Sequence, residues 1–248
     1  MDDTRSTPRL REQTGGLLLA IDTCGPSGSV ALGRLNRQPS GQPAETLAVE
    51  ILGQIELEGR SYSATLVAAV GELLSRSGTQ LRLLDAIVAV NGPGSFTGVR
   101  VGLAAVKGLA EAARIPVVAV SRLEVFAATA GVVSAALDAH RHEVFLRLAL
   151  PGEQGGELLA GVGELALIAP PSRIALCDEA AALLLGSAWP AAELVRAAPP
   201  NAADALSLCA SRAAAGQFVD LALLDGHYLR RSDAEIFGEP AAAAPERL

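Results

Sequence analysis

Asn91-Gly-Pro-Gly-Ser-Phe-Thr-Gly-Val-Arg100 stands between an aliphatic run, Leu84–Val90, and a long stretch of small and apolar residues. The run has the length of a buried strand and Phe96–Arg114 has helical spacing, so the glycines fall at a strand-to-helix junction. Backbone N–H groups at such a junction can hold an anion, and glycine lets another group come close. The same turn also serves simply to pack strand against helix, and the spacing leaves both uses open. Three common chemistries are excluded. Gly98 is followed by Val99-Arg100 and not by Lys-Ser/Thr, so this is no P-loop. Ser95 has Pro93 and Thr97 two residues to either side, so it is no nucleophile elbow. The glycines also lack the G-x-G-x-x-G spacing of a dinucleotide fold.

The helix after the turn is unusual in having little polar surface. Val99, Leu103, Val106 and Ala110 line one face, and Gly98, Gly102, Ala105 and Ala112 a smooth second one. Arg100, Lys107, Glu111 and Arg114 form a narrow polar stripe. Residues 61–77 repeat the pattern: Tyr62, Leu66, Ala69, Val70 and Leu73 mark one face, while Ala64, Val67, Ala68 and Leu74 make the other sides apolar. Helices apolar almost all round are buried on both sides, and small residues permit close helix–helix approach. One side of each covers a sheet; the other meets either a partner or a thicker core of the same chain. Lys107, the only lysine, lies too far along the helix to serve the glycine turn.

Upstream, Leu17–Ile21 reads as a buried strand, Asp22–Gly28 as a turn, Ser29–Leu35 as a second strand and Thr46–Leu52 as a third. A strand–Asp–turn–strand opening is how actin, Hsp70 and sugar-kinase type ATPases present a first phosphate loop. That makes Asp22, Thr23, Ser27 and Ser29, with Gly92, Gly94 and Ser95, the candidate nucleotide contacts. No Lys, Asn or Gln follows in the hairpin, which argues against efficient ATP hydrolysis. Val117–Val120 is a strand, and Ser121 caps a helix to Ala130. Past Gly131 the pattern restarts, with strands at Val132–Asp138, Val144–Leu150 and Ile174–Cys177 and helices at Glu179–Leu185 and Ala202–Ala215. The Gly/Leu-rich stretch after Gly152–Gly156 has no assignable pattern. This order, met twice, predicts two similar α/β lobes, residues 17–120 and 121–237, between disordered tails at 1–16 and 238–248.

Composition narrows the function. Half of the 248 residues are apolar yet only 3% are aromatic, so the core is built from small and aliphatic side chains. A net charge of −7 argues against a free-standing nucleic-acid binder. No apolar run reaches membrane-spanning length, and Leu17–Ile21 is too short for a signal-peptide core. Cys24, Cys177 and Cys209 form no C-x-x-C, which suits a reduced protein, so a cytoplasmic location is expected. His140-Arg-His142 would place two rings on one side of a strand, but His140, His142 and His227 have no Cys or carboxylate partners at metal-ligand spacing. No metal site and no catalytic residue is assigned.

Several of these strings resemble the TsaB (formerly YeaZ) family of bacterial tRNA threonylcarbamoyladenosine biosynthesis proteins. They are Ala20-Ile-Asp-Thr23, Gly28-Ser-Val-Ala-Leu32, and Gly92 to Arg100 with Val101-Gly-Leu103 and Gly108-Leu-Ala110. Ala136-Leu-Asp-Ala139, Glu143-Val-Phe145 and Tyr228-Leu-Arg230 add support. The resemblance implies an α/β, two-lobed fold of the actin, Hsp70 and sugar-kinase class (ASKHA), with duplicated mixed-sheet lobes. It implies a non-catalytic scaffold that pairs as a heterodimer with its catalytic paralogue TsaD, with TsaE joining through the complex and TsaC supplying threonylcarbamoyl-AMP. It further implies a homodimer when alone, only indirect contact with tRNA and no required cofactor. Weak ATP or ADP binding is expected mainly at the partner interface. Carried onto this chain, the pairing surface comprises Tyr62, Leu66, Val70, Gly98, Val101, Gly102, Ala105, Gly108, Leu109 and Ala112. The alternative is an independent ASKHA-type ATPase or small-molecule kinase built on Asp22-Thr23. Two places depart from the family pattern: Arg60-Ser-Tyr-Ser63 has Tyr where relatives often carry His, and Cys177-Asp-Glu179 replaces a G-x-G.

Overall fold

The computed structural model describes residues 16–38, 46–59, 61–149 and 155–230. Two five-stranded sheets are built from the same plan. In the first, β1 (Leu17–Asp22) is central, flanked by β2 (Ser27–Gln38) and β3 (Thr46–Glu58) on one side and by β4 (Ala86–Val90) and β5 (Val117–Val120) on the other. The second sets β6 (Ala135–Asp138) at the centre, with β7 (Glu143–Leu148) and β8 (Gly156–Gly161) to one side and β9 (Arg173–Leu176) and β10 (Glu193–Arg196) to the other. In both, the first three strands pair antiparallel and the last two join parallel. The duplication read from element order is therefore present strand for strand.

Helices α1 (Tyr62–Arg76) and α2 (Phe96–Ala113) pack side by side on the first sheet. In the second repeat α4 (Val162–Leu165) and α5 (Glu179–Ala188) hold the corresponding chain positions. Period-2 alternation puts both faces of the second sheet in contact with helices. Ala136, Val144, Leu146, Ile174 and Leu176 join the α4–α5 cluster, while Ala135, Leu137, Phe145 and Ala175 face α3 (Arg122–Thr129). The third helix of each repeat crosses over. α3 packs on the second sheet, and α6 (Ala202–Ala214) packs on all five strands of the first. The division at 120/121 thus follows chain order but not packing, because Ala202, Ala205, Leu206, Cys209 and Ala213 belong to the first core. α3 and α6 touch at the junction, where Arg212 pairs with Glu124.

The strands missing from the sequence reading are edge strands. β8 (GELLAG) begins and ends in glycine, and β10 (ELVR) has four residues and no buried side chain. Edge strands need only half the apolar character of central ones, which is why no pattern announced them. β3 runs on to Glu58, its second half diluted by Gly53, Gln54 and Glu56. Leu84 is buried but lies outside β4, after a short 3-10 turn at Leu81–Leu83. The two expected tails, apart from Gly16, lie outside the described residues. No helix among the described residues is long and apolar enough to cross a membrane.

Candidate functional site

The loop after β1 and the glycine turn after β4 meet because their strands are parallel neighbours. Ser95 opens α2: its Oγ accepts from the Gly98 N–H at 3.2 Å, and its own N–H donates to Cys24 O at 2.7 Å. Gly94 has φ +157°, and a Cβ there would sit 2.1 Å from Cys24 O. A Cβ on Gly98 would sit 2.1 Å from Thr23 O, and one on Gly102 2.2 Å from Thr23 Oγ1. The glycines therefore let the first turns of α2 lie directly on the β1 loop, where any side chain would hold them off. Of the two uses open at the sequence level, close packing is the one these contacts describe.

The candidate nucleotide residues are engaged within the chain. Asp22 is buried: its Oδ1 accepts from the Cys24 N–H at 2.8 Å and its Oδ2 from Arg122 Nε at 3.2 Å. The Thr23 hydroxyl donates to Gly98 O at 2.7 Å. Ser29 Oγ accepts from the Ala202 N–H at 2.9 Å and so satisfies the first free donor of α6, whose N-cap is Asn201. Gly92 is buried, with φ +115° and its carbonyl accepting from the Arg122 N–H at 2.6 Å. Ser27 is exposed. Burial, the largest single influence, would depress the Arg122 guanidinium's affinity for its proton, but the charge and hydrogen bond of Asp22 together with the neighbouring Cys24 and Cys177 turn the balance upward. Sequence reasoning missed Arg122. One signal was present: a basic residue in the first turn of a helix opposes the helix dipole and needs a reason.

A second buried carboxylate ties the lobes together. The Glu157 side chain on β8, only 6% exposed, accepts from Ser121 Oγ at 2.7 Å and Arg147 at 2.9 Å, and pairs with His227 Nε2 at 2.9 Å. Burial would raise this carboxyl, yet the hydrogen bonds from His227, Ser121 and Arg147 together hold it below the ordinary carboxylate range. The segment after α6 carries His227 back over the glycine turn, its N–H donating to Asn91 O at 2.7 Å. Tyr228 then packs at a tilt against Phe96, ring centroids 5.1 Å apart, with Arg100 lying 3.7 Å over the Phe96 ring. Arg230 donates to Ala139 O at 2.8 Å and pairs with Glu143. The Tyr-Leu-Arg string is thus a strap from the head of α2 to the β6–β7 turn.

The residues expected on the partner surface divide into two groups. Tyr62, Leu66, Val70, Gly98 and Gly102 are buried inside this chain, so they are corrected from interface to core. The Tyr62 hydroxyl donates to Gly25 O at 2.9 Å, and burial together with Asp22 pushes the phenol up to about 12. The aromatic at this departure from the family pattern therefore props the β1 loop. Val101, Ala105 and Leu109 are half-buried, and Gly108 and Ala112 are exposed. They lie with exposed Ala104 on α2 and with Ala64, Val67, Ala68 and Gly71 on α1. The smooth outward face is real, but it is turned relative to the one inferred from spacing.

The remaining candidates do not assemble a chemistry. His140 and His142 lie in the β6–β7 turn with φ near +61°, not on a strand, and His140 Nδ1 faces Asp138 at 2.9 Å. Among the described residues no cluster of His, Cys, Asp or Glu has metal-binding geometry. At the Cys177-Asp-Glu179 departure, Asp178 caps α5 through the Ala181 N–H at 2.7 Å. Cys24 and Cys209 are buried thiols that desolvation raises, Cys209 to about 12, which makes them unreactive.

Two lobes of one duplicated mixed-sheet plan, with a hairpin following each central strand, define the ASKHA architecture. The family model described as TsaD, tRNA N6-adenosine threonylcarbamoyltransferase, matches residues 46–176, more than half of the chain. The TsaB protein of Haemophilus influenzae is 40% identical over 96 residues, 36% of this chain and 41% of that protein. The TsaB of Escherichia coli is 36% identical over 137 residues, 52% of each chain. The solved structure of YeaZ from Pseudomonas aeruginosa superposes with a TM-score of 0.62 at 28% identity, covering 86% of this chain and all of that one. The chain belongs to the TsaB (YeaZ) family, within the wider group the TsaD model describes. Its sequence matches span about half, or less, of the length of these curated relatives.

Proposed function

We propose that this protein is a non-catalytic, cytoplasmic scaffold of tRNA threonylcarbamoyladenosine biosynthesis, which pairs with TsaD through the outward face of α1 and α2. TsaE joins through that complex, and the free protein pairs with a second copy of itself by the same face. The observation that carries the reading is that face itself. Ala64, Ala68, Gly71, Ala104, Gly108 and Ala112 are exposed and small, and Val67 is 61% exposed among them. Helices with their inner sides already satisfied by the sheet have no internal use for a second smooth side, whereas close helix–helix association requires one. The net charge of −7 fits a subunit that leaves most tRNA contact to its partner. The chain needs no cofactor in this role, and any ATP or ADP contact falls at the partner interface.

The rival reading, an independent ATPase or kinase, requires Asp22 and Thr23 to face a ligand, and both are spent on Arg122 and Gly98. Depleting the protein and quantifying nucleosides from bulk tRNA by mass spectrometry tests the proposal. Threonylcarbamoyladenosine is expected to fall and to return on re-expression. An unchanged level, or sustained phosphate release by the purified protein alone, would count against it.

A further inference from the structure

We infer that Arg122 is a built-in occupant of the loop after β1, closing that candidate phosphate-binding turn to nucleotides. The residue starts α3, the helix that crosses to the second sheet, yet its side chain reaches back to the β1 loop. Its backbone N–H holds Gly92 O at 2.6 Å while its Nε holds Asp22 Oδ2 at 3.2 Å, so it grips both candidate phosphate-binding turns. Its Nη2 lies over Gly25 so closely that a Cβ built there would be 2.4 Å away. The guanidinium therefore covers the backbone of the hairpin turn, the surface that would cradle a phosphate in this architecture. Arg122 and Asp22 are 5% and 2% exposed, so the pair is sealed from solvent.

The chemistry of the exclusion is twofold. A phosphate-bearing ligand would have to displace a cation that is already neutralised, and a magnesium ion would find the Asp22 carboxylate taken. Gly25 is the complementary half of the device, since any side chain there would push the guanidinium out. The inference concerns the β1 loop and the glycine turn alone and stands whichever partner the α1–α2 face takes.

Calorimetric titration of the full chain with magnesium pyrophosphate tests it. Wild type is expected to show no binding at millimolar concentration, and R122A to bind at least about tenfold more tightly than wild type. Methylguanidinium chloride should raise the melting temperature of R122A, leave that of wild type unchanged, and compete with pyrophosphate. Should R122A fail to fold unaided, D22N/R122A, which leaves no orphaned carboxylate, takes its place with magnesium-free pyrophosphate and the same tenfold criterion. A folded variant that binds no better than wild type, or a wild type that binds as well as the variant, overturns the inference.

Discussion

Two glycines on one helix should respond in opposite directions to the same substitution. Gly102→Ala places a methyl 2.2 Å from Thr23 Oγ1 on the inward side of α2, whereas Gly108→Ala adds one where nothing lies within 4 Å. Overpacking of this kind costs about 1–3 kcal/mol. Relief by rotating Thr23 would break its hydroxyl bond to Gly98 O, a buried group worth about 1–3 kcal/mol if left unpaired. Alanine returns about 1 kcal/mol of helix propensity at either position. The balance for Gly102→Ala is a loss of about 1–5 kcal/mol, or roughly 2–20 °C in melting temperature for a chain of this size. Gly108→Ala should gain about 1 kcal/mol, a rise of some 2–4 °C. Urea and thermal unfolding of both variants, followed by circular dichroism, measure the difference. A Gly102→Ala protein as stable as wild type would show that α2 does not rest on the β1 loop as described.

Other expectations follow the same contacts. Ser29→Ala leaves the buried Ala202 N–H at the start of α6 without its acceptor and should cost about 1–3 kcal/mol in urea unfolding, whereas a nucleotide-contacting Ser29 would leave stability untouched. Glu157 has a folded-state affinity for protons below the ordinary carboxylate value near 4.5, so its contribution is complete above that pH and fades as the pH falls towards its lower folded value. Glu157→Gln should therefore be less stable than wild type at pH 7, with the gap closing as the pH falls below the ordinary carboxylate value near 4.5. A gap independent of pH would remove Glu157 from the acid limb of the stability curve.

The sequence disclosed the central strands and the long helices well, because each carries a periodic apolar signal that survives on its own. Phe96–Ala113 and Val117–Val120 were legible to within a residue. The edge strands β8 and β10 were not, since one paired side demands little pattern. The crossing of α6 was equally hidden. An amphipathic helix declares that it covers something but not which sheet. The partner face shows the same limit. Spacing established that α1 and α2 are smooth on two sides, but which side the sheet takes depends on the β1 loop, with Thr23 seated against Gly98 and Gly102. Buried pairs such as Asp22–Arg122 join residues a hundred positions apart, and only the fold brings them together.

The most direct measurement of the account is the affinity of this protein for the TsaD of the same cell, with substitutions confined to the exposed face. Gly108→Trp and Ala112→Glu lie where the chain's own packing is open, so melting temperature should move by no more than a few degrees. The account predicts that each weakens the heterodimer by at least about tenfold, and that the pair together abolishes it and the modification of tRNA. Undiminished affinity in the double variant would contradict it.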